Sequence, residues 1–393
     1  MTDIHNYKKR LEQALRRLEK ADISSANIGH IKGFSQNCIA NGIGAGKAYR
    51  YVDDLVVTTK WLNKDLSKCN RRDIEALILK LEQSDYAEWT KYGIKICIRK
   101  FFKWLRDTEE LPEEVRWIKL RMKNVSRRLP EDLITEEEAK KMILTAESRR
   151  DKAIIAVLYE SGCRIQEVLT IRIKHIVFDE YGAVISVFGK TGSRRVRLVS
   201  AVPYLQEWIN NHPENNNPEA FVWIKRGKRT DVLIGYGSAR ITLQRIAKRA
   251  GIRKKVNPHS FRHARASYLA NYLTESQLKE VSGWAQASRM ASVYVHLSGK
   301  NTDQAILKVY GKSMEVKTKK EVLTPLQCAR CKTENEAIHK YCKLCGMALG
   351  EQEINQLIAG QSDKVEIDKI MGAILKDSRV LDTIAKKIKE INL

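Results

Sequence analysis

Apolar residues recur at helical spacing along most of this chain, but in one short part of it they follow the spacing of a β-strand. They alternate instead in residues 183–188 and 196–199, on either side of a Gly-Lys-Thr-Gly-Ser stretch at 189–193. Helices repeat every 3.6 residues and strands every 2, so the pattern predicts two strands joined by a turn inside a helical chain. We therefore expect a mainly α fold with one small β-sheet.

Changes in composition divide the chain into segments. The stretch around residues 126–134 combines clustered basic residues with a proline and has little apolar content, which favours a linker. Thr135 and Glu138 then have the spacing of a capping box that begins the next helix. The predicted segments are a helical domain at 1–125, a linker at 126–134, an α+β domain at 135–318, a cysteine-rich ribbon at 325–349 and amphipathic helices at 351–393.

One helix of the first segment carries both an apolar stripe and a basic face. The stripe consists of Trp89, Ile94, Ile98, Phe101, Phe102 and Leu105, and the basic face consists of Lys95, Arg99, Lys100 and Lys103. The apolar stripe predicts core packing. The basic face fits a solvated surface and a nucleic-acid contact equally well.

Positive charge is concentrated in the middle of the chain. The net charge is +24, from 71 Lys and Arg against 47 Asp and Glu, and +17 of it falls within residues 133–346. Charge on sequence with a folded pattern favours a surface that contacts a polyanion such as duplex DNA. The alternative is a protein that is basic throughout and has no such partner.

Two further patterns indicate the compartment of the protein and whether it has a membrane partner. The first 20 residues are charged and lack the apolar core of a signal peptide, and the sequence has no run of about 18 apolar residues. Half of the eight cysteines are scattered through helical patterns, as a reducing compartment allows. We expect a cytoplasmic, nucleoid-associated protein with no membrane partner.

Side chains suited to phosphoryl transfer occur in one order along the second half of the chain. They are Arg164, Lys190, His259, Arg262, Trp284 and Tyr294. Each alone has an ordinary explanation: a surface arginine, a solvated turn lysine or a core tyrosine. Together they supply two guanidiniums for a phosphate, a proton donor, a proton acceptor and a nucleophilic oxygen.

The sequence around these residues resembles the tyrosine recombinase (phage integrase) family. The matching boxes are Gly-Cys-Arg-Ile-Gln-Glu at 162–167, Pro-His-Ser-Phe-Arg-His at 258–263, Gly-Trp at 283–284 and Tyr-Val-His at 294–296. The resemblance is strong over about residues 135–311 and is architectural over 4–125. It implies a helical core-binding, SAM-like domain followed by a recombinase catalytic domain.

The resemblance also implies a role for each residue. Tyr294 would attack the scissile phosphate to give a 3′-phosphotyrosyl link and a free 5′-hydroxyl, with no metal and no nucleotide cofactor. Arg164 and Arg262 would hold the phosphate, and Glu167 would brace Arg164. The remaining roles are a general acid at Lys190, a proton acceptor or phosphate ligand at His259, and an N–H donor at Trp284.

Two departures from the family pattern concern the nucleophile. Trp284 stands where the family often has histidine, and an indole N–H donates a hydrogen bond but transfers no proton. Tyr294 comes ten positions after Trp284, one more than the commonest bacterial spacing, and a loop after Ala285 can absorb the extra residue. Tyr268, Tyr272 and Tyr310 are rival nucleophiles, but none has the Tyr-x-His pattern. Action in cis and action in trans both stay open.

The other four cysteines form two closely spaced pairs. They are Cys328, Cys331, Cys342 and Cys345, followed by Gly346. Two Cys-x2-Cys knuckles ten residues apart predict tetrahedral zinc coordination in a ribbon, with disulfides or a redox pair as the alternative. We expect a structural Zn²⁺, and DNA contact, protein contact or stapling of the C-terminus as the role of the ribbon.

Two further segments resemble assembly elements. Residues 301–312 resemble the stretch after the nucleophile in archaeal integrases, where a helix packs on a neighbouring protomer; a helix that closes its own domain is the alternative. The apolar spacing within 351–393 favours self-association or packing on the body.

The function predicted from these observations is site-specific DNA recombination that integrates or excises a mobile element. The expected partners are double-stranded DNA, further copies of the chain in a tetramer, and optionally an accessory DNA-bending protein. The alternatives are a Xer-like chromosome-dimer resolvase, a topoisomerase-like relaxing enzyme and a non-catalytic DNA-binding regulator derived from an integrase.

Overall fold

A computed structural model describes residues 3–122, 132–189, 192–225, 232–298, 310, 323–350 and 353–355. The backbone divides into two compact units, Met1–Leu129 and Pro130–Leu393. Most of both units is helical, with two small antiparallel sheets in the second. The expectation of a mainly α chain with a small sheet is confirmed. No helix of the described ranges is long and apolar enough to cross a membrane.

Six helices form the first unit. They are α1 Tyr7–Glu19, α2 Ser25–Ala40, α3 Ala45–Leu62, α4 Arg71–Gln83, α5 Glu88–Leu105 and α6 Glu113–Arg116. Side-chain caps help to start two of them, since Ser24 accepts from the backbone of α2 and Asn70 forms a capping box with Asp73 in α4. Phe34, Leu55 and Phe101 lie at the centre of a shared core and are almost completely buried.

The stripe and the basic face of α5 differ from the expectation at one residue each. Ile94, Ile98, Phe101 and Phe102 are buried, but Trp89 is 61% exposed, because the first turn of α5 extends beyond the core. Lys95 is buried and ion-paired with Glu82, so it belongs to the packed side of the helix. Among the basic residues named for this face, only Lys100 and Lys103 are exposed.

The second unit contains eight helices and five strands within the described residues. In chain order they are α7 Glu136–Thr145, α8 Arg149–Ser161, α9 Ile165–Leu169, β1 Ile176–Asp179, β2 Gly182–Gly189, β3 Gly192–Leu198, α10 Val202–Asn210, α11 Tyr236–Arg249, α12 Pro258–Leu269, α13 Glu275–Ser282, α14 Met290–Ser298, β4 Leu326–Gln327 and β5 Glu334–Asn335. Helix α8 is central and packs against α7, α10 and α12. The predicted capping box opens α7, where Thr135 and Glu138 bond each other's backbone N–H groups.

The main sheet has the antiparallel order β1-β2-β3, with Gly189 paired with Gly192 at the end of the hairpin. The alternation that predicted β2 and β3 is present, since Val196 and Leu198 face the core while Arg195 and Arg197 are exposed. Strand β1 was not predicted, because it has four residues and no buried side chain. Strand β2 packs against α9 and β3 against α8, and residues 190–191 lie outside the described ranges.

Helix α12 begins within the second box, at Pro258. Asn257 caps it and Pro258 occupies its first position, where a missing N–H costs nothing. His259 and Arg262 consequently stand on one helix, three residues apart and on one face. Most of the predicted linker, most of 301–312 and all of 351–393 except 353–355 lie outside the described residues.

Candidate active site

The first box places Arg164 at a sharp turn between two helices. Gly162 ends α8 with a φ of 57°, and a Cβ at this position would lie 2.9 Å from the Arg265 Cβ, so glycine is required here. Arg164 then occupies the N-cap of α9. Its backbone N–H donates to Glu167 Oε2 at 2.8 Å and its Nη1 donates to Glu167 Oε1 at 2.9 Å. Glu167 thus holds both the backbone and the guanidinium of Arg164.

The second arginine lies beneath this turn. Arg262 is 7% exposed, and it donates from Nη1 to the Gly162 carbonyl at 3.0 Å and from Nη2 to the Ser282 carbonyl at 2.6 Å. Burial, followed by the cation of Arg164, lowers the pKa of Arg262 to about 10. The guanidinium stays charged at neutral pH.

The two arginines converge on the loop after α13. Arg164 donates from Nη1 and Nη2 to the carbonyl of Gly283, both at 3.1 Å, next to the Ser282 carbonyl that Arg262 contacts. Gly283 has a φ of 61° and ends α13 in the left-handed region. With 29% of its side chain exposed, Arg164 forms the accessible edge of the pair, and Arg262 its buried base.

The predicted nucleophile is connected to this pair through Trp284. The rings of Trp284 and Tyr294 stack with centroids 5.5 Å apart at 11°, and Arg262 Cζ lies 5.3 Å from the Trp284 ring centroid. Tyr294 is 5% exposed and packs with Ala270 and Leu278 in a small apolar cluster. The extra residue between Trp284 and Tyr294 falls in the loop between α13 and α14.

The hydroxyl of Tyr294 has a polar partner, although its ring packs in the apolar cluster. Its Oη is hydrogen-bonded to Nδ1 of His263, which follows Arg262 in the same box. The second box contains His263, but the resemblance to the family implies no role for it. Its position four residues after His259, on the face of α12 that carries the box, is the signal that could have identified it.

The two predicted proton-transfer residues have different positions. His259 is exposed on the first turn of α12. Lys190 lies outside the described residues. Its neighbour Gly189 ends β2 directly against the first box, since a Cβ on Gly189 would lie 2.3 Å from Glu167 Oε1.

A third guanidinium that the sequence analysis did not select reaches the same carboxylate. Arg194 on β3 donates from Nη1 to Glu167 Oε1 at 3.0 Å and from Nη2 to Glu167 Oε2 at 2.8 Å. Burial opposes ionisation of Glu167, but the hydrogen bonds and charges of Arg194 and Arg164 lower its pKa below the ordinary value. Strand alternation could have flagged Arg194, because it shares the inward face of β3 with Val196 and Leu198.

The four paired cysteines come together as predicted. Their sulfur atoms all lie within 4.8 Å of one another, with Cys328–Cys345 and Cys331–Cys342 each 3.5 Å apart. Tetrahedral zinc with Zn–S bonds of about 2.3 Å requires sulfur atoms about 3.8 Å apart, so this cysteine cluster fits the ion. Both knuckles turn in the same way, because Lys332 and Gly346, each following a second cysteine, have φ values of 59° and 72°.

Comparison with known proteins finds similarity to one family, mostly within the second unit. Residues 132–301 match the phage integrase family. Tyrosine recombinase XerA of Pyrococcus horikoshii is 28% identical over 239 residues, which cover 60% of this chain and 79% of that protein. Tyrosine recombinase XerD of Yersinia pestis is 26% identical over 262 residues, which cover 62% of this chain and 84% of that protein.

Solved structures share the fold at lower sequence identity. A lambda integrase dimer bound to a COC′ core site has a TM-score of 0.55 at 15% identity, covering 69% of this chain and 77% of that one. XerH site-specific recombinase bound to palindromic difH substrate has a TM-score of 0.54 at 17% identity, covering 79% and 98%.

Proposed function

We propose that this chain, which belongs to the phage integrase (tyrosine recombinase) family, is a site-specific recombinase that integrates or excises a mobile element. The family consists of enzymes that break and rejoin DNA strands. The observation that carries the assignment is the convergence of Arg164 and Arg262 on the Ser282–Gly283 carbonyls, beside a tryptophan stacked on Tyr294.

The proposed chemistry uses side chains alone. Tyr294 Oη attacks the scissile phosphorus, a P–O bond forms to tyrosine and the bond to the 5′-oxygen breaks. The phenolic proton passes to His259, and Lys190 protonates the departing 5′-oxygen. Attack by the 5′-hydroxyl of a partner strand reverses these steps, so the bond energy is conserved and no nucleotide cofactor is consumed.

The arginines supply the electrostatic part of this proposal. Arg164 and Arg262 offer paired N–H donors to the non-bridging oxygens, whose charge grows in the pentacovalent transition state. Loss of either guanidinium should cost about 2–4 kcal/mol of transition-state stabilisation, as loss of an oxyanion donor does. With 5% of its surface exposed, Tyr294 has to turn its hydroxyl outward before that hydroxyl reaches DNA.

The experiment is trapping on a nicked duplex built from direct repeats, once sequencing of the DNA on either side of the gene has located them. A nick beside the cleavage site lets the short 5′-hydroxyl fragment escape, so the covalent adduct accumulates and shifts on a denaturing gel. We expect the adduct with the parent chain and with Tyr272→Phe, whose side chain is 58% exposed in the loop after α12. Tyr294→Phe should give none, and an adduct with that variant would overturn the assignment.

A mixing experiment reads whether the tyrosine acts in cis or in trans. Tyr294→Phe and Arg262→Ala are each expected to be inactive alone. If the nucleophile is delivered to a neighbouring protomer's phosphate site, mixed assemblies regain cleavage. If it acts within its own protomer, the mixture stays inactive, because neither chain then has a complete site.

A Xer-like dimer resolvase is the second candidate, favoured by the XerA and XerD relatives. The cysteine cluster and the archaeal-like segment at 301–312 favour the mobile-element role instead. The two roles are separated by plasmids carrying the flanking repeats. A mobile-element enzyme recombines the ends of its element, whereas a resolvase recombines copies of one chromosomal site and leaves the repeats unchanged.

For the remaining partners we propose double-stranded DNA, a tetramer of this chain and a structural Zn²⁺ in the cysteine cluster. The positive charge supports DNA as a partner, since the second unit holds most of the excess of basic residues. The distances between the cysteine sulfur atoms support the structural Zn²⁺. Metal analysis of the purified chain should find one zinc per protomer, and a metal-free folded ribbon would contradict it.

A further inference from the structure

Arg194 contacts two of the boxes that carry the active site, the first box at 162–167 and the Gly-Trp box at 283–284. Its side chain is only 11% exposed. Besides both oxygens of Glu167, it contacts the Val281 carbonyl through Nε at 3.0 Å and the Cys163 sulfur through Nη2 at 3.3 Å. A Cβ on Gly283 would lie 2.6 Å from Arg194 Nη1, so the loop before Trp284 packs directly on this guanidinium.

The carboxylate of Glu167 is shared by two cations of different exposure. It is 2% exposed, and each oxygen accepts one bond from Arg164 and one from Arg194. A buried carboxylate needs a compensating charge. Were Arg194 absent, Arg164 would be the one cation left among the described residues bonded to Glu167, and its charge would be neutralised by that ion pair.

Arg194 is the stronger of the two partners. It forms a two-pronged contact with both carboxylate oxygens, whereas the guanidinium of Arg164 reaches only Oε1. Among the groups that lower the pKa of Glu167, Arg194 contributes more than Arg164. Three guanidiniums, those of Arg164, Arg194 and Arg262, stand against the single carboxylate of Glu167, so the group keeps an excess of positive charge, with Arg164 at the accessible edge of the site and Arg262 at its base.

We propose that Arg194 is a positioning residue for DNA cleavage: by neutralising Glu167, it leaves the charge of Arg164 available to the scissile phosphate. This inference rests on the proposed function, in which Arg164 contacts that phosphate. Arg194 itself acts through Glu167 and the loop before Trp284. Lysine cannot fully replace it, because one ammonium cannot span both carboxylate oxygens and the Val281 carbonyl in this planar geometry.

The test compares two substrates in single-turnover cleavage of the nicked duplex. One has the natural phosphodiester at the cleavage site, and the other has a methylphosphonate, in which a methyl group replaces one charged oxygen. Arg194→Met should slow cleavage of the phosphodiester by about 10- to 100-fold, the range for groups that orient a directly acting residue. On the uncharged methylphosphonate the slowing should largely disappear. Arg194→Lys should fall between the parent chain and Arg194→Met.

The matched control is Arg197→Met, on the same strand but on the outward face, where Arg197 pairs with the exposed Asp179. It should cleave both substrates at the parent rate. Equal slowing of Arg194→Met on both substrates would indicate a general loss of folded enzyme and overturn the inference, as would parent-like cleavage of the phosphodiester.

A second variant tests the charge argument directly. Adding Glu167→Gln to Arg194→Met removes the carboxylate that Arg194 neutralises, so part of the lost phosphodiester cleavage should return. No recovery would contradict the inference. Tyr294→Phe and Arg164→Ala are run alongside: if either cleaves the phosphodiester at the parent rate, the proposed function fails independently of Arg194.

Discussion

Replacement of Trp284 separates the two contributions that its side chain can make. Its ring lies between Tyr294, with centroids 5.5 Å apart, and Arg262, with Cζ 5.3 Å from the ring centroid. Its indole N–H is the proposed donor to the phosphate. Trp284→Phe keeps an aromatic ring and removes the donor, whereas Trp284→Ala removes both.

The geometry gives the expected size of each effect. A hydrogen bond to a charged group contributes about 1.5–3 kcal/mol, so Trp284→Phe should slow cleavage about 13- to 160-fold. Trp284→Ala also loses an aromatic stack of about 0.5–1.5 kcal/mol and a cation–π contact of about 0.5–1 kcal/mol, a further 5- to 70-fold.

The assay is single-turnover cleavage of the nicked duplex at saturating protein, which removes differences in DNA affinity. The expected order of rates is parent, Trp284→Phe, Trp284→Ala. Equal rates for the two variants would show that the ring does not position Tyr294 or Arg262. A parent-like rate for Trp284→Phe would show that the indole N–H does not contact the phosphate.

Three other perturbations have defined outcomes. Burial raises the pKa of Asp54 from 3.8 to about 6, so the free energy of unfolding should fall by about 3 kcal/mol as pH rises from about 4 to 6. In thermal melts Asp54→Asn should abolish that fall, and a pH profile unchanged by the substitution would refute this expectation. His263→Ala removes the partner of the Tyr294 hydroxyl, and loss of about 1 kcal/mol should speed amide exchange in α14 about fivefold, whereas unchanged exchange would exclude this restraint. Zinc chelation should unfold the ribbon, read by proteolysis, and leave cleavage of short duplexes intact; parallel loss of cleavage would show that the ribbon supports the catalytic site.

The parts of the site that follow local sequence rules could be predicted from the sequence. The Thr135 capping box, the β2–β3 hairpin and the left-handed Gly346 each depend on a few neighbouring residues, and each is present. The close approach of the four cysteines also follows from spacing, because two Cys-x2-Cys knuckles are the sequence pattern of a single tetrahedral metal site.

The parts that depend on packing between distant segments could not be predicted in this way. Arg194 contacts Glu167 across 27 positions and Val281 across 87. Strand alternation separates Arg194 from Arg195 and Arg197, but it does not indicate which carboxylate and which carbonyl Arg194 contacts. For a similar reason Trp89 of α5 is exposed and Lys95 is buried, contrary to the expectation. The other helices set the extent of the core and thereby decide which side chains of α5 are covered.

The most direct measurement is the identity of the residue joined to DNA. The trapped adduct is digested with protease and nuclease, and the nucleotide-bearing peptide is sequenced by mass spectrometry. We expect a single modified peptide from α14, with a 3′-phosphate ester on the oxygen of Tyr294. A link to Tyr268, Tyr272 or Tyr310, or attachment through a 5′-phosphate, would contradict the assignment of the nucleophile.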